Sequence, residues 1–211
     1  MLTPFKFKIQ QNKLIEVKPT KNKILTIPEN VTEISEHAFS KSNCTGVIIP
    51  SSVKIISAHA FENSQLESVI IPPTVDAIYN GAFKNCKNLE SVQFLREGRR
   101  CVIPECCFEN CTNLKKISLQ NLNFIESNAF KNCTSLEEFE IPDTIYYIHY
   151  DVFDGCTNLK IIASSEVLAR FPYLKRFGKQ EQTLDEIISS SFSSGKTFNQ
   201  INIDLLERQQ K

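Results

Sequence analysis

The chain has 211 residues, 41% of them hydrophobic, with 24 basic and 24 acidic side chains. That is enough apolar material for a sizeable core in one or two domains, and it is not the composition of a disordered segment. A net charge near zero argues against a dedicated nucleic-acid binder, and no apolar run approaches the ~18 residues of a membrane span.

Residues 1–20 come first. Phe5, Phe7 and Ile9 alternate with polar residues, as do Ile15 and Val17, with Gln10, Gln11, Asn12 and Lys13 between them. This predicts a strand pair or one degenerate repeat that caps the next part of the chain. A stacked array needs such a cap, because its terminal unit otherwise exposes apolar surface. The opening stretch from Met1 to Lys8 lacks the apolar run of a signal peptide, so the cytoplasm is the expected compartment.

Residues 21–163 are repetitive. Phe39, Phe61, Phe83, Phe108, Phe130 and Phe153 recur at steps of 22, 22, 25, 22 and 23 residues. Five positions before each stands an isoleucine: Ile34, Ile56, Ile78, Ile103, Ile125 and Ile148. Immediately before each stands a small residue: Ala38, Ala60, Ala82, Cys107, Ala129 and Val152. Downstream run Cys44, Leu66, Leu89, Leu114, Leu136 and Leu159, then Val47, Val69, Val92, Ile117, Phe139 and Ile162. Ile49, Ile71, Phe94, Leu119 and Ile141 form a fifth column.

The Leu-x-x-Val-x-Ile end of each unit alternates with period 2 and predicts one short strand per unit. Pro50, Pro72 and Pro142 stop strands by removing a donor. Successive strands are expected to pair in parallel, about 4.7–4.9 Å apart. The half running from the isoleucine to the phenylalanine must turn back within about ten residues, and a short helical or 3-10 arc is expected there. No unit can bury its face alone, so stability comes from stacking.

The stretch from Ile71, Pro72, Pro73, Thr74 and Val75 through Ala82, Phe83, Lys84, Asn85, Cys86, Lys87, Asn88, Leu89, Glu90, Ser91 and Val92 resembles the unit of the BspA-type, or Treponema pallidum-type, leucine-rich repeat family. The resemblance covers residues 24–163. It implies an α/β solenoid, a leucine-rich repeat horseshoe with one parallel strand per unit. It also implies a non-catalytic protein-binding module, of a family of surface-associated adhesion and antigen proteins. A cell-surface location by an unconventional route is then the alternative compartment, and a cytoplasmic scaffold or regulatory subunit the alternative function. The first two full units depart from the pattern, one residue short between Phe and Leu and without the cysteine. The fourth carries three extra residues and Arg100 where others have Val, Leu or Ile.

After Ile162 the pattern stops. Ser165 is expected to cap a helix over residues 166–171, and Pro172 to start another turn. Thr183, Leu184, Asp185 and Glu186 form a capping box ahead of Ile187 and Ile188. Residues 164–211 read as a helical C-terminal cap.

Several groupings invite chemistry. Cys86, Cys111, Cys133 and Cys156 form a column three residues after the phenylalanine, expected as a buried thiol ladder. No C-x-x-C pair is present, so zinc is not expected. His37 and His59 occupy equivalent positions and should stack, a solvated pair rather than a metal site. The run from Ser190 to Thr197 echoes a P-loop without its first glycine or a preceding strand. Sequons at Asn30, Asn43, Asn110 and Asn132 read as incidental. No catalytic constellation, metal site or cofactor fingerprint emerges, and no enzymatic activity is expected.

A protein partner is expected on the strand layer, which lines the concave surface of such a solenoid. Its outward positions are Thr26, Ile48, Ile70, Gln93, Ser118 and Glu140 in one column, and Gly46, Ser68, Ser91, Lys116 and Glu138 in the other. The N-terminal part, with Ile24, Ile48 and Ile70, is apolar; the C-terminal part is increasingly acidic. The insertion from Leu95 to Arg100 is the second candidate, because Arg96, Arg99 and Arg100 can meet an acidic partner through bidentate pairs.

Overall fold

A computed structural model of the chain describes residues 6–19, 21–95, 100–119 and 121–177. Those residues wind as a parallel β-solenoid of about seven turns. It opens with an antiparallel hairpin of β1 (Phe7–Gln10) and β2 (Lys13–Val17). The hairpin turns at Gln11 and Asn12, both at positive φ, the conformation of a tight two-residue hairpin turn.

The strands read from the Leu-x-x-Val-x-Ile pattern are β3 (Ile24–Thr26), β5 (Gly46–Ile48), β7 (Ser68–Ile71), β9 (Ser91–Phe94), β11 (Lys116–Ser118), β13 (Glu138–Ile141) and β15 (Lys160–Ala163). Their neighbours pair in parallel, with Leu25 opposite Val47, Val47 opposite Val69, and Val92 opposite Ile117. The pleat sends Val69, Ile71, Val92 and Phe94 into the core and Ser68, Ile70 and Gln93 outward.

The expected helical arcs are not what connects these strands. Each isoleucine of the column instead ends a second, shorter strand: β4 (Glu33–Ile34), β6 (Ile55–Ile56), β8 (Ala77–Ile78), β10 (Cys101–Ile103), β12 (Leu122–Ile125) and β14 (Tyr147–Ile148). These form a second parallel ladder, headed by β2. Beyond it the backbone turns by single i→i+3 hydrogen bonds, such as Lys84 N–H to the Gly81 carbonyl at 2.9 Å. Left-handed residues stop any helix from propagating. They stand before the small residue (His37, His59, Gly81, Cys106, Asn128) and two residues after the phenylalanine (Asn63, Asn85, Asn110, Asn132, Gly155).

The core is a single file of rings. Phe39, Phe61, Phe83, Phe108, Phe130 and Phe153 are fully buried and stack at centroid spacings of 4.4, 4.9, 5.4, 5.4 and 5.6 Å. The amides of the first five also reach the next turn: Phe61 N–H donates to the Ala82 carbonyl at 2.8 Å, and Phe83 N–H to that of Cys107 at 2.9 Å. Among the described residues each ladder is interrupted once. The second breaks between β8 and β10, the level of the three-residue insertion. The first breaks between β11 and β13. The ring file runs through both breaks.

After β15 comes the helix α1 (Ser165–Arg170), followed by a 3-10 segment (Pro172–Phe177). The cap is Ser164, one residue earlier than the sequence suggested, and its hydroxyl accepts from Val167 N–H at 3.3 Å. Arg170, Tyr173 and Arg176 donate to the carbonyls of Ile145, Ile148 and Tyr150, so the last edge of the second ladder meets side-chain donors. The Thr183 capping box and the remainder of the expected helical cap lie outside the described residues.

Candidate functional site

The outer face of the first ladder carries the residues singled out from the sequence. Ile48, Ser68, Ile70, Gln93, Lys116, Ser118, Glu138 and Glu140 are exposed, and Ser91 is half-buried. At the N-terminal end Ile24, Ile48 and Ile70, on three adjacent strands, are 64, 54 and 52% exposed. Gly46 explains how they gather. Ile24 Cγ1 sits 3.4 Å from where a Gly46 Cβ would be, so the side chain of Ile24 lies over the bare backbone of β5, two residues from Ile48.

The opposite end is polar. Glu138 lies in register with Lys160, and Glu140 with Ile162, itself exposed. Between the two ends lies the interruption. Among the described residues no strand pairing joins β11 to β13. A cleft of about 330 Å³ opens there, lined by Lys116, Ile117, Ser118, Leu119, Phe139 and Glu140 among others. Ile117 and Leu119 are half-buried, although Val47, Val69, Val92, Ile49, Ile71 and Phe94 in the same two columns are buried.

Of the insertion arginines, Arg100 is exposed, and Arg96 and Arg99 lie outside the described residues.

The cysteine column is an internal hydrogen-bond ladder. The thiols of Cys86, Cys111, Cys133 and Cys156 donate to the carbonyls of Phe61, Phe83, Phe108 and Phe130 at 3.0, 3.1, 3.2 and 3.0 Å. Burial pushes the Cys111 and Cys133 thiols well above the usual range, and Cys156 to about 11. Cys86 lies lower, through the hydrogen bond with the Cys111 thiol. Protonated, buried thiols are poor nucleophiles and poor metal ligands. Lys84 bridges to Glu109 at 2.8 Å beside Cys106, whose thiol burial pushes up to about 11.

The imidazoles of His37 and His59 stack at 5.5 Å and share the Glu62 carboxylate, at 3.7 and 3.1 Å. Among the described residues no three His, Cys, Asp or Glu side chains converge as a metal-binding set. No helix there is long and apolar enough to cross a membrane.

One surface has no counterpart in the sequence pattern. Val102, Phe124 and Tyr147 stand side by side on the second ladder, with Tyr146 stacked on Phe124 at 5.9 Å. Val102, Tyr146, Tyr147 and Tyr150 are exposed. The signal is the position just before each isoleucine of the column, which has outward meaning only once the second ladder is known.

Comparison with known proteins places this fold among relatives. No curated protein matches the chain. A leucine-rich repeat protein of Eubacterium ventriosum superposes with a TM-score of 0.61 at 24% identity, covering 67% of this chain and 39% of that one. The pneumococcal vaccine antigen PcpA superposes with a TM-score of 0.59 at 21% identity, covering 75% and 47%. A leucine-rich cell surface protein of Faecalibacterium prausnitzii gives 0.50 at 22% identity, covering 76% and 63%. The chain thus spans less than two thirds of the length of each, and the likeness is one of fold. The model of the BspA type leucine rich repeat region matches six copies, over residues 17–100 and 100–173. With that match lying over the same stacked turns and ring file, the chain belongs to the BspA-type leucine-rich repeat family.

Proposed function

We propose that the chain is a non-catalytic protein-binding module that holds its partner on the outer face of the first ladder, as a surface antigen or adhesion protein does. The observation that carries this is the Ile24, Ile48 and Ile70 patch. Three aliphatic side chains stand more than half exposed over adjacent strands whose alternate residues are already buried. Apolar area of that kind is costly in water and is the usual mark of a binding surface. Proteins of this repeat family are generally binding modules. The polar stretch through Ser68, Ser91, Gln93, Lys116, Ser118, Glu138 and Glu140 supplies orientation and specificity, and Arg96, Arg99 and Arg100 a second, basic contact. Two of the similar structures, a cell surface protein and a vaccine antigen, support the surface role.

The test is partner capture by the intact chain compared with the Ile70→Glu and Glu140→Lys variants. Both side chains point outward, so the far-ultraviolet spectrum and melting profile should stay unchanged while capture weakens at least tenfold. Normal capture by both variants would remove the strand face from the proposal.

A second reading, an intracellular scaffold with the same binding face, is favoured by Cys86, Cys111, Cys133 and Cys156, whose buried thiols donate to carbonyls instead of forming disulfides. A reducing compartment keeps such thiols unpaired. Labelling intact cells with a membrane-impermeant reagent separates the two readings: protection of the chain supports the scaffold, and labelling supports the surface role.

A further inference from the structure

We propose that the interruption between β11 and β13 is a slot for an extended segment of a partner polypeptide, which enters as an added strand and seats one aliphatic side chain between Ile117, Leu119 and Phe139. This rests on reading the first-ladder face as the binding surface, and it names the part of that face and the kind of ligand.

Main-chain chemistry is the first ground. From β5 to β9 each strand of the first ladder has a paired neighbour on both sides. Among the described residues β11 pairs with β9 alone, and β13 with β15 alone. Their facing edges present main-chain N–H and C=O groups, which an incoming extended chain completes by hydrogen bonding.

The second ground is the floor of the slot. Ile117 and Leu119 occupy core columns, yet the opening leaves them half-buried above the buried Phe139. A cleft of about 330 Å³ lies at the small end of ligand-binding volumes. It suits one branched aliphatic side chain flanked by backbone.

Spacing along the chain is the third. Ile117 to Ile125 is a step of 8 residues, whereas Val47 to Ile56, Val69 to Ile78 and Phe139 to Ile148 are steps of 9. Gln120 stands where Pro50, Pro72 and Pro142 end the other strands. The step is shorter by one residue just ahead of β12, where Asn123 is buried. Its side chain accepts from Cys101 N–H at 3.2 Å and donates to the Thr144 carbonyl at 2.9 Å. A buried amide bonded through both its oxygen and its nitrogen favours one arrangement, which ties the opening to this unit.

Charge sets the direction. Lys116 and Glu140 are exposed on opposite lips. A segment running parallel to its neighbours, with Glu-Leu-Lys at its centre, would place its acid between Lys116 and Glu138, its leucine inward and its lysine between Ser118 and Glu140; the opposite order would set an acid against Glu140, so the Glu140 contact fixes the direction.

The probe is the acetylated, amidated peptide Thr-Thr-Glu-Leu-Lys-Thr-Thr, with a copy N-methylated at alternate residues and a copy of reversed charge order. The matched protein variant carries Gln120→Pro and one residue inserted after Asn121, which restores the 9-residue step and should pair β11 with β13. The native chain is expected to bind the first peptide and to bind both altered copies at least tenfold more weakly. The lengthened variant should lose that binding, and its β11 and β13 amides should exchange with deuterium at least tenfold more slowly than in the native chain. Equal binding by native and lengthened chains, no binding of any peptide, or native β11 and β13 amides as protected as those of β7 would each overturn the slot. So would dimerisation of the native chain that the lengthened variant abolishes, which would assign the slot to a second copy. Ile70→Glu separates the two proposals: weakened partner capture with no peptide binding would leave the wider binding face standing and remove the slot.

Discussion

A Cβ placed on Gly155 would lie 2.1 Å from the Asn132 side-chain oxygen, with the Gly155 backbone at φ +79°. The two residues end a ladder of amides. Asn110 donates to the Asn85 oxygen, and Asn132 to the Asn110 oxygen, both at 2.8 Å. In the last full turn glycine takes over the asparagine position, and the Asn132 oxygen occupies the space that a side chain would need. Gly155→Ala combines a left-handed alanine with that clash and is expected to lose about 1–3 kcal/mol. Gly155→Asn should lose less, because it can resume the amide ladder once the Asn132 oxygen moves aside. Urea midpoints of the two variants check the order.

Removing one ring from the file should be far more costly. Phe83 is fully buried and contacts Phe61 at 4.9 Å and Phe108 at 5.4 Å. Phe83→Ala leaves a cavity that neither neighbour can fill, with an expected loss of about 3–5 kcal/mol. Equilibrium denaturation measures it, and a loss under about 1 kcal/mol would mean that the turns close over the gap.

Acid should loosen the C-terminal turns through Asp151. Its carboxylate accepts Asn128 N–H at 3.0 Å and the Ser127 hydroxyl at 2.9 Å, and it contacts His149 Nδ1 at 2.5 Å. Burial raises the Asp151 pKa, but these partners outweigh it and hold the carboxyl below its usual range. A group depressed in the folded state stabilises above its unfolded value, about 3.9, and loses that contribution as pH falls through the folded value. Asp151→Asn is therefore expected to cost about 1.5–3 kcal/mol at pH 7, the worth of hydrogen bonds to a charged group. The difference from the native chain should shrink as pH falls below about 3.9, and melting curves over a pH series read it.

Thiol labelling tests the cysteine ladder. Cys111, Cys133 and Cys156 are buried, protonated and hydrogen-bonded to carbonyls. In the folded chain at pH 8 they should react with an aromatic disulfide reagent at least a hundredfold more slowly than in urea, because the thiolate is the reacting form. Fast labelling of Cys133 without denaturant would contradict the burial.

Much of this architecture is legible in the residues, for a physical reason. Phe83, Ile78, Ala82, Leu89 and Val92 recur because stacked turns place equivalent side chains over one another, and hydrophobic period reports that directly. The outward positions of Ile48, Ile70 and Glu140 come from strand alternation alone. Conformations that leave no apolar trace are harder to read. The turn residues before Ala60 and Ala129 are a histidine and an asparagine, and nothing in their hydropathy announces a left-handed backbone. A helical arc is the natural expectation from such a stretch, and it hides the second ladder with its Val102, Phe124 and Tyr147 column. The opening beside Ile117 leaves one trace, a step shorter by one residue, masked by the ordinary 22-residue spacing from Phe108 to Phe130.

The two interruptions fall at successive levels and on opposite sides of the molecule. The turn holding Phe108 is tied to its predecessor by β9 and β11, and to its successor by β10 and β12. Like staggered joints in brickwork, the seams never line up. No cross-section loses both ties at once, so the array has no plane along which to part into two independently melting halves, and heating should dissolve these turns in one cooperative step.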